Sequence, residues 1–262
     1  MQFLHVVICG FIIKIEFHPS VYPRNVKIMH ELFIYTYKSL LLKKPAPKAD
    51  YVIKIMDADW IDMVLIKKKD MNFINLFKTT KKGEIVTTYF ASPILFQMMF
   101  MQILEELSKD NGILIHASSA VINGKASLFC GVSGAGKSTA ITLLRNTYRA
   151  IAEDTVYLTT KENKLIVYQT PFIEKLPWLK RGNSTFDVGN IFFLIQDKSC
   201  KVKEIKSKER AFDEFMKRFA ASKRTYKNQL KLSLELVLNS PCYYLYFNKN
   251  SNELIKVLSS LP

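Results

Sequence analysis

An α/β fold is predicted by three features of this 262-residue sequence. A glycine-rich stretch, "GVSGAGKST" at 131–139, stands between an apolar β-prone run and a helix-like one. A hairpin signal, Asn123-Gly124, lies just upstream, and a β-rich first third precedes both. Together they describe a phosphate-loop (P-loop) core over residues 92–262 behind a β-rich portion over residues 1–91.

The β-rich portion is read from alternating or β-branched runs at Val6 to Phe17, Tyr51 to Met56 and Ile61 to Ile66, set apart by stretches such as "KKPAPKAD". "MHELFIYTYKSLLL" fits a helix or a strand, and the pattern leaves both open. The apolar opening "MQFLHVVICGFII" lacks a basic leader and a small-residue cleavage site, so a buried strand is expected there rather than a signal peptide. No run reaches the about 18 apolar residues of a bilayer span, so no membrane association is expected.

Ser92-Pro93 is an N-cap and first-turn pair. It opens a helix over "ILFQMMFMQILEELSKDNG" that ends at Gly112. Met and Phe on more than one face predict that this helix is buried between layers.

Beyond it, two β-prone runs flank Asn123-Gly124. With those two as the turn, Ile122 pairs with Lys125, and the same register carried outward brings His116 opposite Gly131. A histidine there is expected near bound phosphate, where it can hydrogen-bond phosphate or a catalytic carboxylate.

Gly131, Gly136, Lys137 and Ser138 occupy the G-x-x-x-x-G-K-[ST] (Walker A) positions, between a strand ending near Cys130 and a helix running to about Asn146. Gly131, Val132, Ser133, Gly134, Ala135, Gly136, Lys137, Ser138 and Thr139 are therefore the expected nucleotide-binding residues. Small residues let the backbone wrap phosphate, and the following helix start adds positive potential. Lys137 can reach the outer phosphates, and the Ser138 hydroxyl can bind Mg²⁺. Such a site needs a further acid at a neighbouring strand end, and "RAIAEDTVYL" supplies Glu153 and Asp154. One acid would hold metal, the other accept a proton from an attacking hydroxyl.

Composition narrows the class. A hydrophobic fraction of 48% suits a folded domain. Four scattered cysteines, without CxxC spacing, suggest neither a zinc site nor a disulfide framework, and so a reducing, cytoplasmic setting. The net charge of +15 admits polyanionic partners. No zinc-finger spacing or RNP string accompanies it, so no specific nucleic-acid binding is expected.

The histidine strand "IHASSAVINGK", the loop "LFCGVSGAGKST" and "IAEDTVYL" together resemble HPr serine kinase and related kinases, whose fold is shared with phosphoenolpyruvate carboxykinase. "TPFIEK", "VGNIFFLIQ" and "PCYYLYFN" look like later strands of small HPr-kinase-like proteins, several of which accompany peptide-modification systems. The resemblance covers roughly residues 90–262 and implies ATP in the Gly131 to Thr139 loop, Mg²⁺ on Ser138 and Asp154, and a base at Glu153 assisted by His116. Here the sequence departs from the family. Glu153 stands where an aspartate is usual, and no C-terminal motif for reverse phosphorolysis is found.

The implied activity is transfer of the γ-phosphoryl group of ATP to a hydroxyl, with His116, Lys137, Glu153 and Asp154 as catalytic residues. A peptide or protein serine, acidic in context, is the first acceptor class, a peptide-natural-product precursor among them. A small-molecule hydroxyl ranks below it, and a homo-oligomer is left open. "FIEKLPWLKRGNS" at 172–184 fits an acceptor cover or a plain surface loop. An NTPase with water as acceptor and a non-catalytic nucleotide sensor are the competing readings. An ABC-type ATPase is disfavoured because no LSGGQ-like signature is present.

Overall fold

The computed structural model describes residues 3–57, 64–68, 71–89, 92–108, 111–172, 176–180, 182–218 and 226–261, with side chains undescribed at 64–68, 71–75 and 226. It is a mixed α/β fold in two units, Met1–Leu107 and Ser108–Pro262.

In the first unit, β1 (Phe3–Ile8) and β2 (Phe11–Phe17) form a hairpin closed by Cys9 and Gly10, both at positive φ. The undecided segment is helical as far as Leu40, in α1 (Pro23–Tyr37) and the 3-10 turn Lys38–Leu40, and Leu41 then bridges to Val6. The strands β3 (Tyr51–Met56), β6 (Phe77–Lys81) and β7 (Glu84–Thr88) complete a sheet in the order β1-β2-β3-β7-β6. A separate two-stranded ladder joins β4 (Val64–Lys68) to β5 (Met71–Asn75). The expected run at Ile61 to Ile66 lies outside the described residues at 61–63.

The helix α2 (Pro93–Leu107) begins as read, with Ser92 Oγ accepting from the Leu95 N–H at 3.3 Å. Its rings pack on α1, Phe96 on Phe33 at 4.5 Å and Phe100 on Tyr37 at 5.5 Å, within the unit Met1–Leu107. Two expectations about it change. Only one side is buried, through Phe96, Met99, Phe100 and Ile103, while Ile94, Met98 and Met101 are exposed. The helix also stops before Gly112, which opens the next strand and is glycine for a steric reason given below.

Among the described residues, the second unit is a nine-stranded sheet with four helices. Its strands are β8 (Gly112–Ile115), β9 (Ala117–Ile122), β10 (Lys125–Cys130), β11 (Arg149–Ala152), β12 (Val156–Lys161), β13 (Lys164–Gln169), β14 (Thr185–Gln196), β15 (Lys201–Glu204) and β16 (Cys242–Phe247). The helices are α3 (Lys137–Leu144), α4 (Lys208–Met216), α5 (Tyr226–Asn239) and α6 (Ser251–Ser259). β10, β14 and β16 run parallel and side by side, β14 in the middle. Parallel strands covered on both faces read as unbroken apolar runs, which is why "SLFC", "IFFLI" and "CYYLYF" show little alternation. One face buries Phe129, Phe192 and Leu245 with α3 and α6. The other buries Leu128, Ile191 and Phe193 with Phe215 of α4 and Leu236 of α5. Among the described residues, no helix is long and apolar enough to cross a membrane.

At Gly112 a Cβ would lie 2.0 Å from the Tyr157 hydroxyl, and that buried tyrosine is held by its bond to Ser108 Oγ at 2.7 Å. Gly112→Ala is therefore expected to destabilise the protein by about 1–3 kcal/mol through overpacking. Urea unfolding measures this, and an unchanged midpoint contradicts it.

Candidate active site

The site grows out of one hairpin. Asn123 and Gly124 both adopt positive φ, and β9 and β10 pair without a bulge from Ile122↔Lys125 to Ala117↔Cys130. His116 is the next residue outward on one strand and Gly131 the next on the other, as the register predicts.

A second ladder brings the acid pair to the same place. β8 and β9 follow each other in the chain, and both pair antiparallel with the consecutive strands β12 and β11. The β9–β11 ladder shifts register between Ala150 and Ala152, and pairing then lapses between Ser119↔Ala152 and Ile115↔Val156, leaving residues 116–118 and 153–155 between the two ladders. His116 and Asp154 meet in this gap, with Nδ1 3.3 Å from Oδ1 and both side chains about half exposed. Glu153 turns the other way. It is 3% exposed, and its Oε2 accepts from the Leu176 N–H at 3.0 Å. Adjacent residues at a strand end face opposite sides, so one carboxylate is inside and one outside. The histidine expected to assist Glu153 thus contacts Asp154 instead.

The loop's shape is set by glycine. Gly134 and Gly136 have φ of 81° and 98°, a region closed to most side chains. At Gly136 a Cβ would also lie 2.7 Å from the Phe247 ring. Loop carbonyls are engaged: Gly131 O by Lys137 Nζ at 2.8 Å, Val132 O by the Ala135 N–H, and Gly134 O by Gln196 Nε2 at 2.8 Å. Gly136 offers no side-chain acceptor to the first turn of α3, the arrangement an anion completes. Val132, Ser133 and Ser138 are exposed, Ala135 and Thr139 half-buried, while Ala140 and Ile141 root the helix in the core. The loop residues therefore fit a phosphate chain, and Lys137, now on the Gly131 and Val132 carbonyls, is at hand for its outer end.

Cys130, immediately before the loop, is fully buried, and burial pushes its thiol up to about 12, so it is not a nucleophile at neutral pH. Among the described residues, no three His, Cys, Asp or Glu side chains form a metal-binding group. A Mg²⁺ ion here would draw most of its ligands from phosphate and water, with Ser138 and Asp154 the protein residues suited to it.

Some features are not legible in the sequence. The stretch 172–184 is described only in part, since 173–175 and 181 lie outside the described residues. What is described is anchored by the Leu176 N–H on Glu153, by Lys180 O on Gln169 Nε2 at 2.7 Å and by Ser184, which accepts from the Gln169 N–H and from Arg149, with Trp178 packed on the core. On the opposite flank of the loop, Gln196 at the end of β14, Asp197 just after it, and Asn248 and Lys249 after β16 line a cavity of about 270 Å³ with Gly136, Thr139 and Phe247. Polar pairs directly after two buried parallel strands are the signal that points to it, because open α/β sheets bind ligands beyond their carboxyl ends.

Removing Glu153 leaves the Leu176 N–H without this acceptor. Glu153→Ala is expected to cost about 1–3 kcal/mol in unfolding free energy and Asp154→Ala to leave stability nearly unchanged. Equal effects in chemical denaturation contradict this division.

No protein-family model matches the chain. Over 79 residues it is 39% identical to the HPr kinase/phosphorylase of Lactobacillus johnsonii and equally to that of Lactobacillus gasseri, a match that covers 30% of this chain. The matched stretch spans about a quarter of the length of these curated relatives. Among solved structures, the Hpr(Ser) kinase/phosphatase from Coxiella burnetii aligns with a TM-score of 0.32 at 12% identity, covering 56% of this chain and 93% of that one. The chain is thus similar to HPr kinases over part of its length.

Proposed function

We propose that the chain is an ATP- and Mg²⁺-dependent kinase that transfers the γ-phosphoryl group to a hydroxyl, with a serine of a peptide or protein as the first acceptor class and a peptide-natural-product precursor among these. The observation that carries this reading is the His116–Asp154 pair beside the first residue of the phosphate loop. A binding module needs the loop alone, whereas transfer also needs a proton acceptor at its γ end. The partial similarity to HPr kinase/phosphorylase supports the same reading.

Bound MgATP would supply the phosphoryl group and the charge that draws electrons from it. Lys137 stabilises negative charge on the outer phosphates as the bond to the leaving group lengthens. Ser138 and Asp154 are assigned to the metal. His116 and Asp154 together take the proton of the attacking hydroxyl, the carboxylate holding the imidazole in position. Glu153, buried and bonded to the Leu176 amide, is assigned to fixing the 176–180 segment rather than to proton transfer. The chain's net charge of +15 favours an acidic acceptor, and transfer to one should slow as salt rises.

Because His116 and Asp154 are about half exposed, water also reaches the pair, and this favours hydrolysis as the second reading. The two readings separate when labelled ATP is offered with a serine-containing acidic peptide, with free serine and with no acceptor. Label should enter the peptide, and Lys137→Ala should lower transfer by about 10²–10³. Release of phosphate alone, whatever acceptor is offered, contradicts the kinase reading.

The acid pair should respond unequally. Glu153→Gln keeps an oxygen acceptor for the Leu176 amide and is expected to retain transfer, while Asp154→Asn and His116→Ala lose it. Loss of transfer with MgATP binding intact in Glu153→Gln would return the proton-accepting role to Glu153.

A further inference from the structure

The sheet order puts two different environments on the two flanks of the phosphate loop. β10, which delivers the loop, lies between β9 and β14. On the β9 side stand His116 and, through β11, Asp154. On the β14 side, β14 and β16 end side by side, and the residues that follow them, Asp197, Asn248 and Lys249, line the cavity of about 270 Å³. Gly136 and Thr139, at the start of α3, form its wall toward the loop.

A nucleoside triphosphate is a polar chain with two unlike ends. If its reacting end faces His116 and Asp154, its other end must leave the loop on the far side. We infer that the cavity beyond β14 and β16 holds the nucleoside of the phosphoryl donor, with the Asp197 carboxylate and the Lys249 ammonium as its polar contacts. This rests on reading the loop as a triphosphate site and deepens it by placing the rest of the donor.

The chemistry of the walls suits a nucleoside. Sugar hydroxyls and base amines are donors, and Asp197 is an acceptor fixed in place: its Oδ1 takes the Ser199 N–H and hydroxyl, both at 3.0 Å. Those bonds, the backbone one first, hold its carboxyl below the usual carboxylate range, so it is ionised at neutral pH. Lys249 is exposed and offers a donor to base nitrogens or carbonyls. Asn248 is already committed, its Oδ1 to the Asn250 N–H and its Nδ2 to Lys198 O, so it shapes the wall and reads nothing. The volume is near the lower end of small-molecule sites, about 300 Å³, which suits one ring system with its sugar better than a peptide. The cavity and the loop also share a support. Phe247 lines the one and packs under Gly136 of the other, and Gln196 at the cavity edge donates to Gly134 O.

The test compares ATP with inorganic tripolyphosphate, each with Mg²⁺, by titration calorimetry on the full chain. Asp197→Asn keeps the Oδ1 acceptor for Ser199 and removes the charge, and Lys249→Ala removes the ammonium. Each variant is expected to bind ATP about tenfold more weakly while its affinity for tripolyphosphate stays at the wild-type value. Unchanged ATP affinity in both variants overturns the nucleoside site and leaves the phosphate loop standing. Parallel loss of both ligands also overturns it, since the residues would then act on the phosphates or on the fold. A wild-type protein that binds neither ligand overturns the phosphate-loop reading and this site with it.

Discussion

The unbulged ladder between Ala117–Ile122 and Lys125–Cys130 is the constraint on which the site depends. Because every pair from the Asn123-Gly124 turn outward is in step, the end of one strand and the start of the phosphate loop arrive together, and His116 has one place to be. A slip of one residue would turn the strand's side chains to opposite faces and take the histidine from the start of the loop. The same strand, β9, also pairs with β11, so the acid pair is registered against the hairpin rather than carried on a free loop. A constellation set directly at the ends of paired strands in this way is held more tightly than one built from loops alone.

Three parallel strands finish the arrangement. β10, β14 and β16 bury both faces over their carboxyl halves, and at their carboxyl ends the backbone must leave the sheet, where its polar groups find no further strand partner. The residues proposed here to meet a nucleotide lie at or next to such ends: the loop after β10, Gln196 and Asp197 at the end of β14, Asn248 and Lys249 after β16. The neighbouring acid pair stands likewise at the end of β11. The apolar interior therefore does more than stabilise the unit, since its layers decide which polar residues come together. Phe247 shows this at one atom's scale, for it belongs to the core cluster and also leaves space only for glycine at position 136.

Much of this was legible in the sequence because it is local. The hairpin turn, the Walker A spacing, the Ser92-Pro93 helix start and the long apolar strands each announce themselves within about a dozen residues, the range over which turn chemistry and periodicity act. What was not legible is tertiary. Nothing in "AEDT" tells which carboxylate is buried, because the answer lies in Leu176, far along the chain. Gly112 looked like a helix cap and is instead room for Tyr157. The Met and Phe residues of α2, on more than one face, predicted burial between layers, yet apolar composition does not fix how much of a helix is covered, and Met98 and Met101 are exposed.

In the proposed arrangement a triphosphate crosses the loop from the His116–Asp154 flank to the Asp197–Lys249 flank. A crystal structure with Mg²⁺ and a non-hydrolysable ATP analogue tests that claim most directly. The account predicts the γ-phosphate beside Lys137 and the His116–Asp154 pair, with the nucleoside in the cavity beyond β14 and β16. A triphosphate lying in the reverse direction, or bound away from residues 131–139, would contradict it.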